Sequence, residues 1–154
     1  MIIGERISVG LDVHAHSVVA AAIDTATGEI FTRRLGPEAA GVIGWLKSLP
    51  GPAVVTYEAG PTGYVLARAL EAAGIHCVVA APSKIRRAPG DRVKTDKRDA
   101  ELLARVLLAG DIVAVTVPSV AQEAARDLVR AREDARKDLM TARHRVSKLL
   151  LRHE

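Results

Sequence analysis

Residues 7–23, ISVGLDVHAHSVVAAAI, contain two short apolar runs that are rich in β-branched residues, Ile7 to Val13 and Val18 to Ile23. The segment Ala15-His16-Ser17 between them is typical of a turn, so the pattern predicts two strands joined as a hairpin. A third run, Ile30 to Leu35, alternates in the way that suits an edge strand. The chain is therefore predicted to begin with three antiparallel strands.

The next part of the chain changes from strand to helical periodicity. Apolar residues recur at helical spacing from Pro37 until Pro50-Gly51-Pro52 stops the segment, which predicts a first helix. The continuous apolar runs Ala53 to Tyr57 and Ile75 to Ala80 are typical of buried parallel strands, and Thr62 to Ala73 has the pattern of an amphipathic helix. We therefore predict an α/β fold whose mixed sheet has three antiparallel strands followed by two parallel strands, with flanking helices.

The last third of the chain is predicted to be mainly helical. A helix should run from Asp96 to about Ala109, followed by an extended segment from Ile112 to Val117. A final helix should begin at Ser119, because Gln122 three residues later completes a capping box. Together with the preceding elements, this pattern predicts one domain over residues 1–117 and a separate helix over residues 118–154.

The final helix has the period of a coiled coil. Its inward positions keep a mean step of about 3.5 residues; they are Leu128, Ala131, Ala135, Asp138 or Leu139, Ala142, Val146 and Leu149. Pairing with a second copy of the chain through this helix is therefore expected. The helix reaches the last residue without a Gly or Pro cap, so we expect the chain to be truncated inside a coiled-coil linker.

Composition limits the classes of protein that this chain can belong to. Its 154 residues, 49% of them hydrophobic, fit one compact domain with a substantial core. Aromatic residues make up only 3%, which argues against a platform for stacking bases, and the single cysteine excludes an internal disulfide. No signal peptide or membrane-spanning run is visible, so we expect a cytoplasmic protein with no membrane partner.

Four acidic residues are candidates for a metal site. Asp12 lies within the apolar run Val9 to Val13, where an unpaired charge is costly to bury, and Glu58 follows a predicted parallel strand. Asp96 and Asp99 are three residues apart in the first turn of a predicted helix. Turn hydrogen bonds for Asp12 and helix capping for Asp96 are the structural alternatives. In combination, the four carboxylates predict a site for Mg²⁺ or Mn²⁺ that supports phosphodiester chemistry.

The two histidines after the first strand offer a different metal site. His14 and His16 share strand parity with Asp12, which would suit a softer ion. The predicted turn near His16 and the carboxylate character of the other candidate ligands favour the hard divalent cation instead.

A basic loop precedes the acidic helix. Residues 83–98 contain seven cations against two anions. Because this loop adjoins two of the acidic residues, we expect it to bind the phosphate backbone of a nucleic acid, although a solvated loop is the alternative. The predicted nucleic-acid-binding residues are Lys84, Arg86, Arg87, Arg92, Lys94, Lys97 and Arg98.

Three segments resemble one protein family. GLDVH at residues 10–14, YEAGPTG at 57–63 and KTDKRDAELLA at 94–104 are similar to the insertion sequence 110 (IS110) family of DEDD transposases, and the resemblance covers essentially the whole chain. It implies a RuvC-like domain with a ribonuclease H-like fold, followed by the start of a linking coiled coil. It also implies a further domain with a nucleophilic serine beyond the end of this chain.

The resemblance assigns roles to the acidic residues. It implies that Asp12, Glu58, Asp96 and Asp99 are catalytic and bind Mg²⁺. The implied function is metal-dependent cleavage and exchange of DNA strands, directed by an element-encoded bridge RNA that pairs with target and donor DNA.

Other functions remain as alternatives. A nuclease that resembles Holliday-junction resolvases would use the same carboxylates, and a non-enzymatic module would use only the basic loop and the final helix. The actin and sugar-kinase group also begins with a Gly-x-Asp hairpin, which Gly10-Leu11-Asp12 fits loosely. That fold needs two such domains to enclose ATP, and this chain has room for one.

Overall fold

The computed structural model describes residues 6–85 and 95–153. It divides the chain into two compact units, residues 1–117 and residues 118–154. Within the described ranges, the first unit contains the sheet and the α-helices α1 to α3 given below, and the second contains a long helix. Each unit is described by itself below.

A five-stranded mixed sheet forms the centre of the first unit. Its order is β3-β2-β1-β4-β5, with antiparallel pairing among β1, β2 and β3 and parallel pairing of β1 with β4 and of β4 with β5. The strands are β1 (Ile7–Val13), β2 (Val18–Asp24), β3 (Ile30–Leu35), β4 (Ala53–Glu58) and β5 (Cys77–Ala80). This arrangement confirms the predicted sheet and is that of a ribonuclease H-like fold.

The helices of the first unit are α1 (Ala39–Lys47), α2 (Val65–Ala72) and α3 (Asp96–Ala109). Helix α2 begins three residues later than predicted, because Gly63 adopts a φ of 68° in the turn that precedes it. Helix α3 has the predicted bounds and ends at Gly110, whose φ of 76° is left-handed. The predicted extended segment Ile112 to Val117 lies beside β5, with an antiparallel bridge between Ala80 and Ala114 and a hydrogen bond of 2.8 Å from the Val115 amide to the carbonyl oxygen of Val79.

The main core lies on the face of the sheet that carries α1 and α2. Val9 and Leu11 of β1 and Val55 and Tyr57 of β4 are fully buried there. The helices contribute most of the residues that pack against this face, which include Val42, Trp45, Leu46, Ala67 and Leu70. Because strand residues alternate between faces, Ser8, Gly10 and Asp12 lie on the opposite face.

Helix α3 covers that opposite face at very short distance. A Cβ atom placed on Gly10 would lie 2.1 Å from the carbonyl oxygen of Ala100 and 2.5 Å from the amide nitrogen of Ala104. The hydroxyl of Ser8 donates a hydrogen bond of 2.8 Å to the carbonyl oxygen of Ala104. The lack of a side chain at Gly10 therefore allows α3 to pack directly on β1.

The second unit consists of α4 (Val120–Leu150), a 31-residue helix. At about 1.5 Å per residue it is roughly 46 Å long. Its predicted capping box is confirmed: the Ser119 hydroxyl accepts from the Gln122 amide, and the Gln122 side chain accepts from the Ser119 amide. No residue of α4, all of which the structure describes, is buried. No described helix combines the length and the hydropathy that a membrane span requires.

Candidate metal centre

Strand pairing places Asp12 in a row of residues that crosses the sheet. Asp12 pairs with Val19 of β2, and Val19 pairs with Arg34 of β3. On the other side, the register of β1 and β4 ends at Leu11 opposite Tyr57, so Asp12 and Glu58 are the next residues along two parallel strands. Leu11 and Tyr57 lie in the main core. Alternation therefore puts Asp12 and Glu58 on the α3 face, at the carboxyl end of both strands.

The first turn of α3 brings Asp96 to the same place. Ligand atoms of Asp12, His14 and Asp96 all lie within 4.8 Å of one another. The Nε2 atom of His14 is 3.0 Å from Oδ2 of Asp12 and 3.9 Å from Oδ1 of Asp96. The Asp12 side chain is 20% exposed and that of Asp96 is 46% exposed, so an ion in solution has access to both carboxylates. We call these three residues the carboxylate cluster.

Local sequence explains why Asp96 is available to the cluster. The N-cap of α3 is Thr95, whose hydroxyl accepts a hydrogen bond of 3.3 Å from the amide of Arg98. The proposed capping role of Asp96 was therefore wrong, because Thr95 already performs it. Asp96 occupies the first helical position, and its carboxylate extends toward β1 and β3.

Arg34 is a neighbour of the cluster that the sequence did not reveal. Its Nη2 atom donates a hydrogen bond of 2.8 Å to Oδ2 of Asp96. This hydrogen bond is the main cause that lowers the pKa of Asp96, with partial burial acting in the opposite direction. Asp96 therefore stays ionised well below neutral pH. Arg34 and Asp96 are 62 residues apart along the chain, so only the strand register could have identified the pair.

Asp99 and Glu58 are close to this region but are not part of the carboxylate cluster. Asp99 lies three residues after Asp96 on α3, and its Oδ2 atom is buried. Glu58 is half-buried at the end of β4. Among the described residues, the group whose ligand atoms meet contains neither of them. The structure thus brings together two of the four predicted carboxylates. It places Asp99 on the same helix as Asp96, and Glu58 at the end of β4, the strand that pairs with β1.

His14 takes a position that the sequence favoured less. It was considered only as part of a site for a softer ion, on the basis of its parity with Asp12. In the structure it contacts Asp12 directly, whereas the exposed His16 is not in the cluster. The sequence signal for His14 was its position two residues after Asp12, which puts both side chains on the same face of an extended strand.

The donor set of the cluster fits a divalent cation. Carboxylate oxygens are the preferred ligands of Mg²⁺ and Mn²⁺, and imidazole is a common ligand of transition metals. The cluster contains two carboxylates that point into one partly exposed space with a single imidazole beside them. Cys77 supplies no thiolate ligand, because it packs against the main core on the other face of the sheet and burial raises its pKa to about 12.

The structure describes part of the predicted basic loop. Lys84 ends a short 3-10 turn, Pro82–Lys84, and Lys97 and Arg98 are exposed on the first turn of α3. Nζ of Lys97 is 3.9 Å from a carboxylate oxygen of Glu101. The other four predicted nucleic-acid-binding residues, Arg86, Arg87, Arg92 and Lys94, lie outside the described residues.

The sheet topology and the carboxylates beside α3 place the chain in the class of ribonuclease H-like proteins. A family model for transposases, that of the IS110-type DEDD transposases, matches residues 9–153. The chain belongs to this family.

Two curated relatives agree with the family assignment. Over 97 residues, which are 63% of this chain and 25% of the relative, the chain is 56% identical to "Putative transposase y4qE" of Sinorhizobium fredii (strain NBRC 101917 / NGR234). It is 36% identical to the transposase for insertion sequence element IS1533 of Leptospira borgpetersenii, over 97% of this chain and 44% of the relative. The chain spans less than half the length of either relative.

Proposed function

We propose that this chain is the metal-binding catalytic part of a DNA transposase that cleaves and exchanges DNA strands. In this proposal, residues 1–117 are the RuvC-like catalytic domain and residues 118–154 begin a coiled-coil linker. The observation that carries the proposal is the meeting of Asp12 and Asp96, from two distant parts of the chain, at the carboxyl end of the parallel strands. Family membership supports the same activity.

Asp12 and Asp96 are the proposed primary ligands, and Glu58 and Asp99 complete the set. All four lie on the α3 face or on the first turn of α3. When bound, Mg²⁺ or Mn²⁺ polarises a phosphodiester and stabilises the charge that develops on its oxygens. The protein supplies the fixed spacing, because the sheet holds Asp12 and the packing of α3 on Gly10 holds Asp96.

His14 and Arg34 keep the carboxylates in position and ionised. His14 hydrogen-bonds Asp12 at 3.0 Å, which fixes the orientation of that side chain. Arg34 hydrogen-bonds Asp96 at 2.8 Å and lowers its pKa. The side chains of His14 and Arg34 are more than half exposed. Each can therefore release its carboxylate to an incoming metal ion or contact a phosphate.

DNA is the proposed substrate, and a guide RNA is a proposed second nucleic-acid partner. The first rests on the family and on the cations Lys97 and Arg98 beside the cluster. The second rests on the family resemblance of the sequence alone. The proposed location of such a protein is the cytoplasm, where it meets chromosomal DNA.

A second copy of the chain is the proposed partner of α4. The side chains of Leu128, Leu139, Val146 and Leu149 are all more than half exposed. They follow the coiled-coil period, so two identical helices carry the same apolar seam and can cover each other. The described ion pairs of α4, such as Glu133 with Arg136 at 2.9 Å, are exposed and contribute little stability on their own.

Thermal unfolding with and without divalent cation tests the proposed metal site. Mg²⁺ or Mn²⁺ should raise the Tm of the wild type by about 3 to 6 °C at a concentration roughly ten times Kd, because the cation binds only the folded state. The increase should vanish in Asp12→Asn. The matched control, Asp111→Asn, removes an exposed carboxylate just after α3 and should keep the increase. A wild type whose Tm does not respond to either cation would contradict the proposal.

Cleavage separates the enzyme from the non-enzymatic alternative. Branched or nicked DNA should be cut in the presence of Mg²⁺ or Mn²⁺ by a transposase that contains this domain, and Asp12→Asn should abolish the cutting. Cutting that survives Asp12→Asn would assign the chemistry to another site.

A further inference from the structure

His14 faces both carboxylates of the cluster through one nitrogen atom. Its Nε2 atom lies 3.0 Å from Oδ2 of Asp12 and 3.9 Å from Oδ1 of Asp96. In an octahedral site with metal–ligand distances of about 2.1 Å, neighbouring ligand atoms are about 3.0 Å apart and opposite ones about 4.2 Å. The separations of the imidazole nitrogen from the two carboxylate oxygens fall within this range. His14 therefore has the spacing of a ligand as well as that of a hydrogen-bond partner.

The turn between β1 and β2 holds His14 in this position. The amide of His14 donates a hydrogen bond of 2.9 Å to the carbonyl oxygen of Ser17, which closes the turn. Alternation along the extended chain puts the His14 side chain on the same face as Asp12. His16 lies within the turn and is exposed outside the cluster. The backbone thus presents one of these two histidines to the carboxylates.

Asp96 uses its two oxygen atoms for different partners. Oδ2 accepts the hydrogen bond of 2.8 Å from Arg34, whereas Oδ1 faces Nε2 of His14. An ion can therefore bind Oδ1 while Arg34 keeps Oδ2. The atoms that face one another in the cluster are then two carboxylate oxygens and one imidazole nitrogen.

An imidazole in the donor set changes which cation a site prefers. Oxygen ligands and water suit Mg²⁺, and carboxylates alone serve Mg²⁺ and Mn²⁺ in the same way. A nitrogen ligand adds affinity for first-row transition-metal ions that Mg²⁺ does not gain. The residue beside the two carboxylates therefore bears on the identity of the ion.

We infer that His14 is a direct metal ligand that makes the carboxylate cluster selective for a first-row transition-metal ion, such as Mn²⁺, over Mg²⁺. The inference rests on the proposed function for the existence of the metal site and adds a ligand and an ion preference to it. The neutral imidazole carries one proton, which lies on Nε2 while that atom donates to Asp12. In the metal-bound form this proton lies on Nδ1, and the lone pair of Nε2 faces the ion. The side chain is 51% exposed, so water can carry the proton between the two nitrogens.

Competition between Mn²⁺ and Mg²⁺ tests the selectivity without a catalytic readout. The electron paramagnetic resonance signal of free Mn²⁺ gives the Kd of the full chain for Mn²⁺, and displacement by Mg²⁺ gives the second Kd. His14→Ala should weaken Mn²⁺ binding about tenfold or more, as loss of even a ligand-orienting group does, and should leave Mg²⁺ binding within about a factor of two. The matched control, His16→Ala, removes an exposed histidine of the same turn and should keep both wild-type values.

A second variant separates a ligand from a hydrogen-bond partner. His14→Gln provides an amide that can still hydrogen-bond to Asp12 but supplies no imidazole nitrogen. It should lose the preference for Mn²⁺ as His14→Ala does. Wild-type Mn²⁺ affinity in His14→Gln, or equal weakening of Mn²⁺ and Mg²⁺ binding in His14→Ala, would show that His14 only positions Asp12 and would overturn the inference.

Electron spin-echo modulation of the bound Mn²⁺ detects the ligand atom itself. The wild type and His16→Ala should show coupling to a coordinated nitrogen that changes when histidine is isotopically labelled. The coupling should be absent from His14→Ala and His14→Gln. Bound Mn²⁺ without nitrogen coupling in the wild type would overturn the inference and leave the proposed function with a metal site of carboxylates alone. A wild type that binds neither ion would overturn both.

Discussion

Asp24, the last residue of β2, lies opposite Ile7 at the end of β1 far from the cluster, and it shows how this fold treats a buried charge that has only a structural role. Its side chain is 2% exposed and accepts hydrogen bonds from Arg6 at 2.9 and 2.5 Å and from the amide of Ala26 at 2.9 Å. Asp12 and Asp96, by contrast, are partly exposed, and the contacts described for them are with His14 and Arg34. The difference supports a ligand-binding role for the second pair.

The hydrogen bond from Arg6 makes Asp24 a source of pH-dependent stability. It lowers the pKa of Asp24 from 3.8 to about 2, so the folded state holds the carboxylate more tightly ionised than the unfolded state does. The contribution is therefore present above about pH 4 and is lost as pH falls toward 2. Denaturant unfolding between pH 2 and 5 should show that Asp24→Asn is less stable than wild type at pH 5. As the pH falls, the free energy of unfolding of this variant should decrease less steeply, because one carboxylate fewer takes up a proton on unfolding.

Asp111→Asn is the control for this measurement, since that residue is exposed just after the end of α3. It should follow the wild-type profile. An Asp24→Asn profile parallel to that of the wild type throughout this range would show that Asp24 does not titrate with folding.

Single residues could be proposed from the sequence where chemistry alone singles them out. Asp12 could be proposed because a charge within an apolar strand is costly, and Asp96 because it adds a carboxylate to Asp12, Glu58 and Asp99 as hard oxygen ligands. Arg34 could not be proposed. Its position beside Asp96 follows from the register of three strands, in which Arg34 lies opposite Val19 and Val19 lies opposite Asp12. Sequence gives the side-chain parity of a strand but leaves its register to long-range packing.

Among the elements, α3 determines whether the site exists. Its buried residues Ala100, Leu103 and Ala104 lie against β1 and β2, and Gly10 is the point of closest approach. Asp96 is one turn before Ala100, so any displacement of α3 moves Asp96 away from Asp12. The site is thus coupled to the packing of small residues some distance from the carboxylates.

Gly10→Ala tests that coupling. The added methyl would meet backbone atoms of Ala100 and Ala104 at 2.1 and 2.5 Å, so α3 must shift. The free energy of unfolding should fall by about 1 to 3 kcal/mol, as for other overpacked cores, and the rise in Tm with Mn²⁺ should shrink. Chemical denaturation and thermal unfolding measure the two effects.

Gly44→Ala is the matched control, because nothing lies within 4 Å of a Cβ atom at this position of α1. It should be neutral or stabilise the protein by up to about 1 kcal/mol through helix propensity. Equal stability of Gly10→Ala and Gly44→Ala, with an unchanged metal response in both, would contradict the proposed packing of α3.

Element boundaries followed local signals closely where such signals exist. The bounds of α3 were predicted from an acidic start and a terminal glycine, and Ser119 and Gln122 predicted the start of α4. The start of α2 was misplaced, because the turn at Gly63 interrupts a pattern that otherwise continues. The segment Ile112 to Val117, predicted as extended, lies beside the edge strand β5, where the amides of Ala81 and Val115 donate hydrogen bonds to the carbonyl oxygens of Val113 and Val79.

At the scale of the whole molecule, α4 is the element for which we propose a second copy of the chain as partner. A 31-residue helix with an exposed apolar seam is poorly stabilised by its own exposed ion pairs. Pairing of two copies is the arrangement that the 3.5-residue period favours. Light scattering after size exclusion should therefore give about twice the chain mass of 16.4 kDa.

Two matched triple variants test where the copies meet. Leu128→Gln/Leu139→Gln/Leu149→Gln alters the predicted seam and should shift the mass to that of one chain. Val129→Gln/Met140→Gln/Leu150→Gln alters exposed apolar residues one position further along the same helix and should leave the dimer intact. Dissociation by the second variant alone would place the interface on another face, and a wild type of single-chain mass would exclude the pairing.

The central claim is that Asp12 and Asp96 bind one divalent cation, and an anomalous difference map from crystals grown with Mn²⁺ examines it directly. We predict a peak within coordinating distance of both carboxylates, at about 2.0 to 2.2 Å as hard oxygen ligands require. Crystals that contain Mn²⁺ but show no peak between these residues, with the two carboxylates turned to separate regions of solvent, would contradict the account.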